Sequence, residues 1–536
     1  QQIARPLDFA AVTDHAELLG EVSLCEVEGS EAWGSWQCRL YRAWPRAAYY
    51  FFNFRAAQGQ RLGFCGEDGA LCRGAATGPW REIRDAAAAA NDAGSDCRFT
   101  SFIGYEWTGS AGTGQNLHRN VLFRGEAVPE APVSFIEAGS PERLWDALDE
   151  ACGAPGPDCQ WLAIPHNPNL SAGSMFRDTQ SDGSPFTREN AERRAGAEPL
   201  LEIMQHKGAS ECVPGAGEAA VAADESCSFE LLPYDSFSGQ IYPWAREAPT
   251  HATGYLRDVL RQGLRISREA GADPYRFGVI GSTDTHLGIA GGASEATFLG
   301  HGGAGEPARD GVPAGLPDRP EFGPGGLALV WAEENTREAI FDALRRRETY
   351  ASSGTRPQLR FFGGWDYPEA LCSEPDLVAT GYARGVPMGG ELQASAAAGR
   401  APVFVVAGMR DPVEGEGIER LEIIKGWIDS DGRPGESRVA VARAAAGSAG
   451  ADALCAVWRD EDWQEGQQAW YYARLLEAPV ARWSARRCEA AGVRCEDGGA
   501  AAKGYAACCE SGHAALIQER AWSSPIWLRG PATPGQ

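Results

Sequence analysis

Five short apolar runs in this sequence lead into His, Asp or Glu, residue types whose side chains can ligate a metal. Leu7 to Val12 runs into Thr13-Asp14-His15, and Phe99 to Tyr105 ends at Glu106. Trp161 to Ile164 ends at Pro165-His166, and Leu200 to Met204 at Gln205-His206. Phe277 to Ile280 ends in Gly281-Ser282-Thr283-Asp284-Thr285-His286. His118 sits with Arg119 just ahead of another short run. The chain has eight histidines, and four of them directly follow predicted strands. A lone histidine is more often a satisfied surface or core residue; five at corresponding places suggest a cluster. Imidazole and carboxylate together are the donor set of zinc, manganese and iron sites. Asp284-x-His286 is the most specific element, because residues two apart in an extended segment point the same way. Glu106 is the candidate bridge between two ions about 3.5–4 Å apart, an arrangement that activates water for attack on an ester or phosphoester. Arg119 and Lys207 lie beside expected ligands and are candidates to hold a substrate oxyanion. A solvated surface charge is the equally weighted alternative for both.

These residues converge only if strand ends share one rim. The apolar runs are short and nearly continuous, as in strands buried on both faces. Between them lie helical stretches: Trp80 to Ala90, Pro141 to Ala151 after the candidate N-cap Ser140, Tyr255 to Ala270, and Thr336 to Arg347. Strand then helix, repeated, predicts an α/β fold with a parallel sheet or barrel, whose C-terminal strand ends face one mouth. Leu327 to Trp331 is a further expected strand. The Gly/Pro-rich stretches 207–226 and 288–326 are long for plain connections and are expected to be rim loops or flexible insertions. Beyond residue 356 the texture changes. Val403 to Ala407, Arg420 to Ile428, Ala453 to Val457 and Trp470 to Leu476 read as strands of a β-rich, sandwich-like domain. The expected division is therefore 1–355 and 356–536, with the tail Glu519 to Trp527 packing back on the body. No internal repeat is present.

Other chemistries find little support. No phosphate-binding Gly-rich loop and no G-x-S-x-G nucleophile elbow occurs. Ser353, Thr355 or Arg356 could line the mouth, but a tight turn is favoured there. His251, His301 and His513 fall in loops and receive no role. The net charge of -24 disfavours nucleic acid and anionic membranes as partners. A small anionic ester remains open, because a bound metal reverses the local field. No apolar run reaches membrane-spanning length. No signal peptide is visible, and residue 1, which is not Met, is read as a processed or truncated end.

The 15 cysteines contain no C-x-x-C knuckle. Cys65 with Cys72, Cys152 with Cys159, Cys488 with Cys495, Cys25 with Cys38 and Cys212 with Cys227 are expected to clip local loops as disulfides. That places the protein in the periplasm or outside the cell. The odd count leaves one thiol over, and a bridge between adjacent Cys508 and Cys509 would be strained.

The order Thr13-Asp14-His15, Gly104-Tyr105-Glu106, Pro165-His166, Ser282-Thr283-Asp284-Thr285-His286 resembles the motifs of the polymerase and histidinol phosphatase superfamily. The segments Ala4 to Glu17, Glu333 to Phe341, Glu348 to Arg356 and Gln518 to Trp527 resemble its uncharacterised bacterial branch, domain-of-unknown-function family 3604. The resemblance implies a distorted seven-stranded (β/α) barrel with two or three divalent ions (Zn, Mn or Fe), often a phosphoesterase. It implies Glu106, His118 and His166 in one site with Glu106 bridging, Asp284 in a neighbouring site, and His15 with His286 in a third. His206 and Glu202 would lie nearby, facing substrate or supporting ligands. It also implies a preceding strand with His-x-His, which no part of this sequence supplies. A missing first strand is expected to leave two sites short of ligands.

The expected function is a metal-dependent hydrolase, a phosphoesterase first. Hydrolysis of a sulfate, carboxylic or cyclic ester on the same scaffold is the second possibility, since fold does not fix substrate. A secreted binding protein with an inert barrel is the third.

Overall fold

The computed structural model describes residue 3 and residues 5–529, apart from 95, 112–113, 154–157, 215–223, 304–306, 309, 314–315, 394–398, 496–503 and 511–512. The first part of the chain is mixed α/β. Two strand pairs are parallel, as expected: Phe9–Ala11 with Thr100–Phe102, and Leu200–Gln205 with Gly278–Gly281. A third sheet departs from the all-parallel expectation. Gly104–Trp107 and Trp161–Pro165 both pair antiparallel with Arg119–Phe123, which lies between them. Among the described residues, the short link from Trp107 to Arg119 holds a two-rung hairpin, Ser110–Ala111 with Gln115–Asn116. That is too short for the crossover a parallel return needs, so the chain turns back directly. Among the described residues these ladders do not close into a single barrel.

Helices Leu19–Glu26, Trp36–Ala43, Pro45–Ala56 and Ala70–Ala90 separate the first two strands. Gly20 packs directly on the last of them: a Cβ there would meet the Cys72 carbonyl oxygen at 1.9 Å. The expected helix at Trp80 is the second half of Ala70–Ala90, which tolerates Pro79 inside it. Pro141–Gly153, Leu256–Ala270 and Arg337–Arg346 stand where the sequence places them, the last capped by the Thr336 side chain.

The β-rich end is two packed sheets. One has Leu327–Val330, Thr349–Ser352, Arg520–Ser523, Gln468–Glu477, Ile418–Ile428 and Pro434–Arg443 in that order. The other has Gly385–Pro387, Gln358–Gly364, Val403–Met409 and Ala453–Arg459. Leu359, Phe361, Phe404 and Val406 from the smaller sheet meet Leu421, Ile423, Tyr471 and Leu475 from the larger in one apolar core. Leu327–Val330, expected among parallel strands, is instead antiparallel to Thr349–Ser352, so the larger sheet runs across residue 355. The tail inserts Arg520–Ser523 between Thr349–Ser352 and Gln468–Glu477, and Trp522 Nε1 donates to Glu211 Oε2 at 2.7 Å.

A buried ion network joins the two parts. Arg257 and Arg474 both donate to Glu211 and Asp224, at 2.7–3.0 Å. Seven disulfides also form, each within one of the two parts. Cys25–Cys38, Cys65–Cys72, Cys152–Cys159 and Cys212–Cys227 are the expected local clips. Cys488 and Cys495 do not pair with each other. They take Cys508 and Cys509 respectively, because the turn Ala506–Cys509 presents two adjacent thiols to two partners. Cys372–Cys455 is the long-range bridge, and Cys97 is the free thiol. Among the described residues no helix is long and apolar enough to cross a membrane.

Candidate metal centre

The strand directions explain why His118, which precedes its strand, joins residues that follow theirs. Arg119–Phe123 runs against both neighbours, so its start lies at the rim where theirs end. Trp107 sits opposite Arg119, Arg119 opposite Pro165, and His166 N donates to the His118 carbonyl at 3.1 Å. On the other side the chain after Phe9–Ala11 continues alongside Gly104–Trp107, with His15 bridged to Glu106 in parallel register.

The result is one group around Glu106. His118 Nδ1 is 2.9 Å from Glu106 Oε1, and His15 Nδ1 is 3.2 Å from Oε2. His166 Nε2 stands 4.0 Å from Oε1, with its ring 4.7 Å from that of His118. Thr108 Oγ1 holds His15 Nδ1 at 2.7 Å. One ligand atom from each of His15, Glu106 and His118 lies within 4.8 Å of the others.

A second group lies beside it. Asp284 Oδ2 is 3.2 Å from His206 Nε2 and is in contact with Lys207 Nζ. Lys207 Nζ is also 3.0 Å from His206 Nε2. Asp284 adopts a positive φ of 49°, in the left-handed region that costs a non-glycine residue about 1 kcal/mol. The ring of His206 lies tilted against that of His301, with centroids 3.8 Å apart, and His286 lies 6.4 Å from His206 and 5.9 Å from His15. Between the groups, Glu202 accepts from Asn167 N at 2.7 Å and from the Ser282 hydroxyl, tying three strand ends together. A cavity of about 370 Å³ opens onto His15, Glu106, His166, Asp284 and His286, with Phe102, Ile164 and Ile280 in its apolar floor.

Burial by itself would raise the Glu106 carboxyl, but His15 and His118 outweigh it and hold it down at about 2. Asp284 is driven low in the same way, burial being overcome by Lys207 and His206. Burial lowers His166 to about 3, with His118 adding to the effect, and burial lowers His301 to about 4. Both rings are therefore neutral near pH 7, the form that ligates a metal. Both nitrogens of His166, both of His301 and Nδ1 of His206 are buried without hydrogen-bond partners. An unsatisfied buried polar atom costs about 1–3 kcal/mol, so five at one rim call for a ligand. Imidazoles with orphaned nitrogens beside ionised Glu106 and Asp284 fit a divalent cation.

The structure thus brings together His15, Glu106, His118, His166, Asp284, His286, His206 and Lys207. Arg119 is excluded. Adjacent strand residues point to opposite faces, so with His118 at the rim Arg119 turns into the core. Its Nε donates to Glu198 at 2.8 Å and its guanidinium contacts the Leu117 carbonyl. Ser353 donates to Glu519, Thr355 to Glu477, and Arg356 to the Pro6 carbonyl; none of them reaches the cluster. His251 pairs with Asp235 and His513 with Ser484. The residue missed was His301. No strand leads into it; it arrives on the rim loop 288–326, where His286 N donates to its carbonyl at 2.8 Å.

A model of the family described as "Protein of unknown function (DUF3604)" matches residues 1–447 and 436–530. No curated protein and no solved structure matches.

Proposed function

We propose that this chain, which belongs to the DUF3604 family, is a metal-dependent hydrolase, a phosphoesterase in the first instance. The observation that carries the proposal is the convergence of Glu106, Asp284, His15, His286 and the buried, partnerless imidazole of His166 on one cavity. His15, Glu106, His118 and His166 would hold one ion, and Asp284 with His286 would contribute to another. Bound zinc, manganese or iron would supply electrophilic activation of an ester oxygen and of the attacking water. The chain's own residues do the rest. Glu106 and Asp284 supply negative charge that fixes cations, and Lys207 offers an ammonium to an anionic substrate group. Glu202 fixes the backbone of Asn167 and the Ser282 hydroxyl, and so the shape of the rim. The apolar floor limits water around the reacting atoms. The motif order resembling the polymerase and histidinol phosphatase superfamily supports the same proposal. The seven disulfides support a periplasmic or secreted setting.

The test is elemental analysis of the purified chain, followed by a panel of aryl phosphate, sulfate and carboxylate esters. Bound Zn, Mn or Fe with metal-dependent phosphate release supports the proposal. Release from only the sulfate or carboxylate ester moves the chain to another hydrolase class. Absence of metal after reconstitution, with no turnover, points to a binding protein and sinks it.

A further inference from the structure

We propose that His206, His286 and His301 form a second metal site, distinct from the Glu106 group, that takes a zinc-like divalent ion through three imidazoles. This deepens the metal-dependent proposal and rests on it. One nitrogen from each ring lies within 4.8 Å of the other two. His286 is thereby grouped with His206 and His301, while its ring also lies 5.9 Å from that of His15, whose Nδ1 faces Glu106 and Thr108.

Three features favour an ion over a packed histidine cluster. Two rings tilted against each other with centroids 3.8 Å apart and three nitrogens partnerless and buried make a poor core, because their polar atoms gain nothing from each other. The surroundings orient the rings as a ligand shell would. Asp318, itself buried, accepts from His301 N at 2.7 Å with Oδ1 3.8 Å from Nε2, and Phe322 stands against both rings at 5.3 and 5.4 Å. Finally, a cation already occupies the neighbouring space: Lys207 Nζ touches Asp284 and lies 3.0 Å from His206 Nε2. That corner attracts positive charge, and the ammonium competes with an entering ion for Asp284. His286 is exposed, which leaves one side of the three-imidazole set open to a water or a substrate oxygen.

The experiment titrates the full, chelator-stripped chain with Co²⁺ alone, reading stoichiometry and visible absorption. His301→Ala is expected to lose one equivalent together with the visible bands which that equivalent contributes. His118→Ala is expected to lose a different equivalent and keep the bands that His301→Ala removes. Lys207→Met should tighten the equivalent that His301→Ala removes, and leave the other unchanged. Circular dichroism checks folding, and His301→Gln replaces His301→Ala if that variant does not fold. Unchanged stoichiometry and spectrum in the His301 variant, with loss confined to His118→Ala, overturns this site and leaves the Glu106 site standing. No Co²⁺ bound anywhere overturns both.

Discussion

His166 donates its backbone N–H to the carbonyl of His118 at 3.1 Å, and that one rung sets their imidazoles 4.7 Å apart over Glu106. The rung exists because Arg119–Phe123 runs antiparallel to Trp161–Pro165. The relative positions of His118 and His166 are therefore set by backbone pairing.

Preorganisation of that kind predicts a sharp response to ligand loss. Glu106→Gln keeps the shape but removes the charge between His15 and His118. Metal affinity at this site is expected to fall by at least about 100-fold, the upper range for losing mere support of a ligand. His166→Gln should weaken the same equivalent while leaving the His206 side intact. Calorimetric Zn²⁺ titration of each variant checks this, and parent-like binding in Glu106→Gln would remove Glu106 from the site.

Arg119 yields the opposite prediction. It is buried, and its partner Glu198 also receives Arg194 Nη2 at 3.2 Å. Arg119→Ala leaves Glu198 short of a buried counter-charge, at a cost of about 3–5 kcal/mol. Chemical denaturation should show that loss, with a smaller added loss when Glu198→Ala is combined with it. Metal stoichiometry of the folded variant should equal the parent's. A variant of full stability and lost activity would return Arg119 to the substrate.

That contrast shows what could be read from residues alone. A histidine after an apolar run could be placed, since strand ends are legible from hydrophobic pattern. Strand direction could not: an apolar run reads alike in either direction, so the reversal at Arg119 and the orientation of its side chain were hidden. His301 lies in a loop whose path is set by contacts with His286 and Asp318, far from any periodic signal. Pro79 and two nearby glycines obscured the first half of helix Ala70–Ala90, which tertiary packing at Gly20 favours. The cysteine spacing that correctly paired Cys65 with Cys72 failed at Cys488, because Cys508 and Cys509 compete for partners in three dimensions.

Glu477 makes stability depend on pH. Burial raises its carboxyl to about 7 from the ordinary 4.5, aided by nearby Asp411 and Glu416 and opposed by hydrogen bonds from Thr355 Oγ1 and Glu416 N. The folded state holds this proton more tightly than the unfolded chain. The contribution is therefore fully present below about pH 4.5 and is lost as pH rises through about 7. Glu477→Gln cannot ionise, so at pH 8 it should exceed the parent in stability by up to roughly 3 kcal/mol. At pH 5 that advantage should vanish or reverse, since the parent side chain is then neutral as well, and the amide NH2 cannot accept from both Thr355 and Glu416 as the two carboxyl oxygens do. Urea melts at the two pH values decide it. A pH-independent difference would mean that Glu477 does not titrate in this range.

The disulfide pattern predicts one free thiol and one dominant cross-link. Seven bridges use fourteen of the fifteen cysteines, so the chain denatured without reductant should react with one equivalent of thiol reagent, at Cys97. Most bridges close short loops, whereas Cys372–Cys455 spans 83 residues and ties the turn Glu369–Ser373 to strand Ala453–Arg459 of the smaller sheet. By loop-closure entropy, replacing both of these cysteines with Ala should cost about 4 kcal/mol, against about 2–3 kcal/mol for the Cys65–Cys72 clip. Denaturation of the two double variants under identical conditions gives the ranking directly. If removing the local clip costs more, the stabilisation comes from packing around the bridge, in the Leu24, Phe52 and Leu62 cluster that surrounds Cys65, and chain entropy is the lesser part.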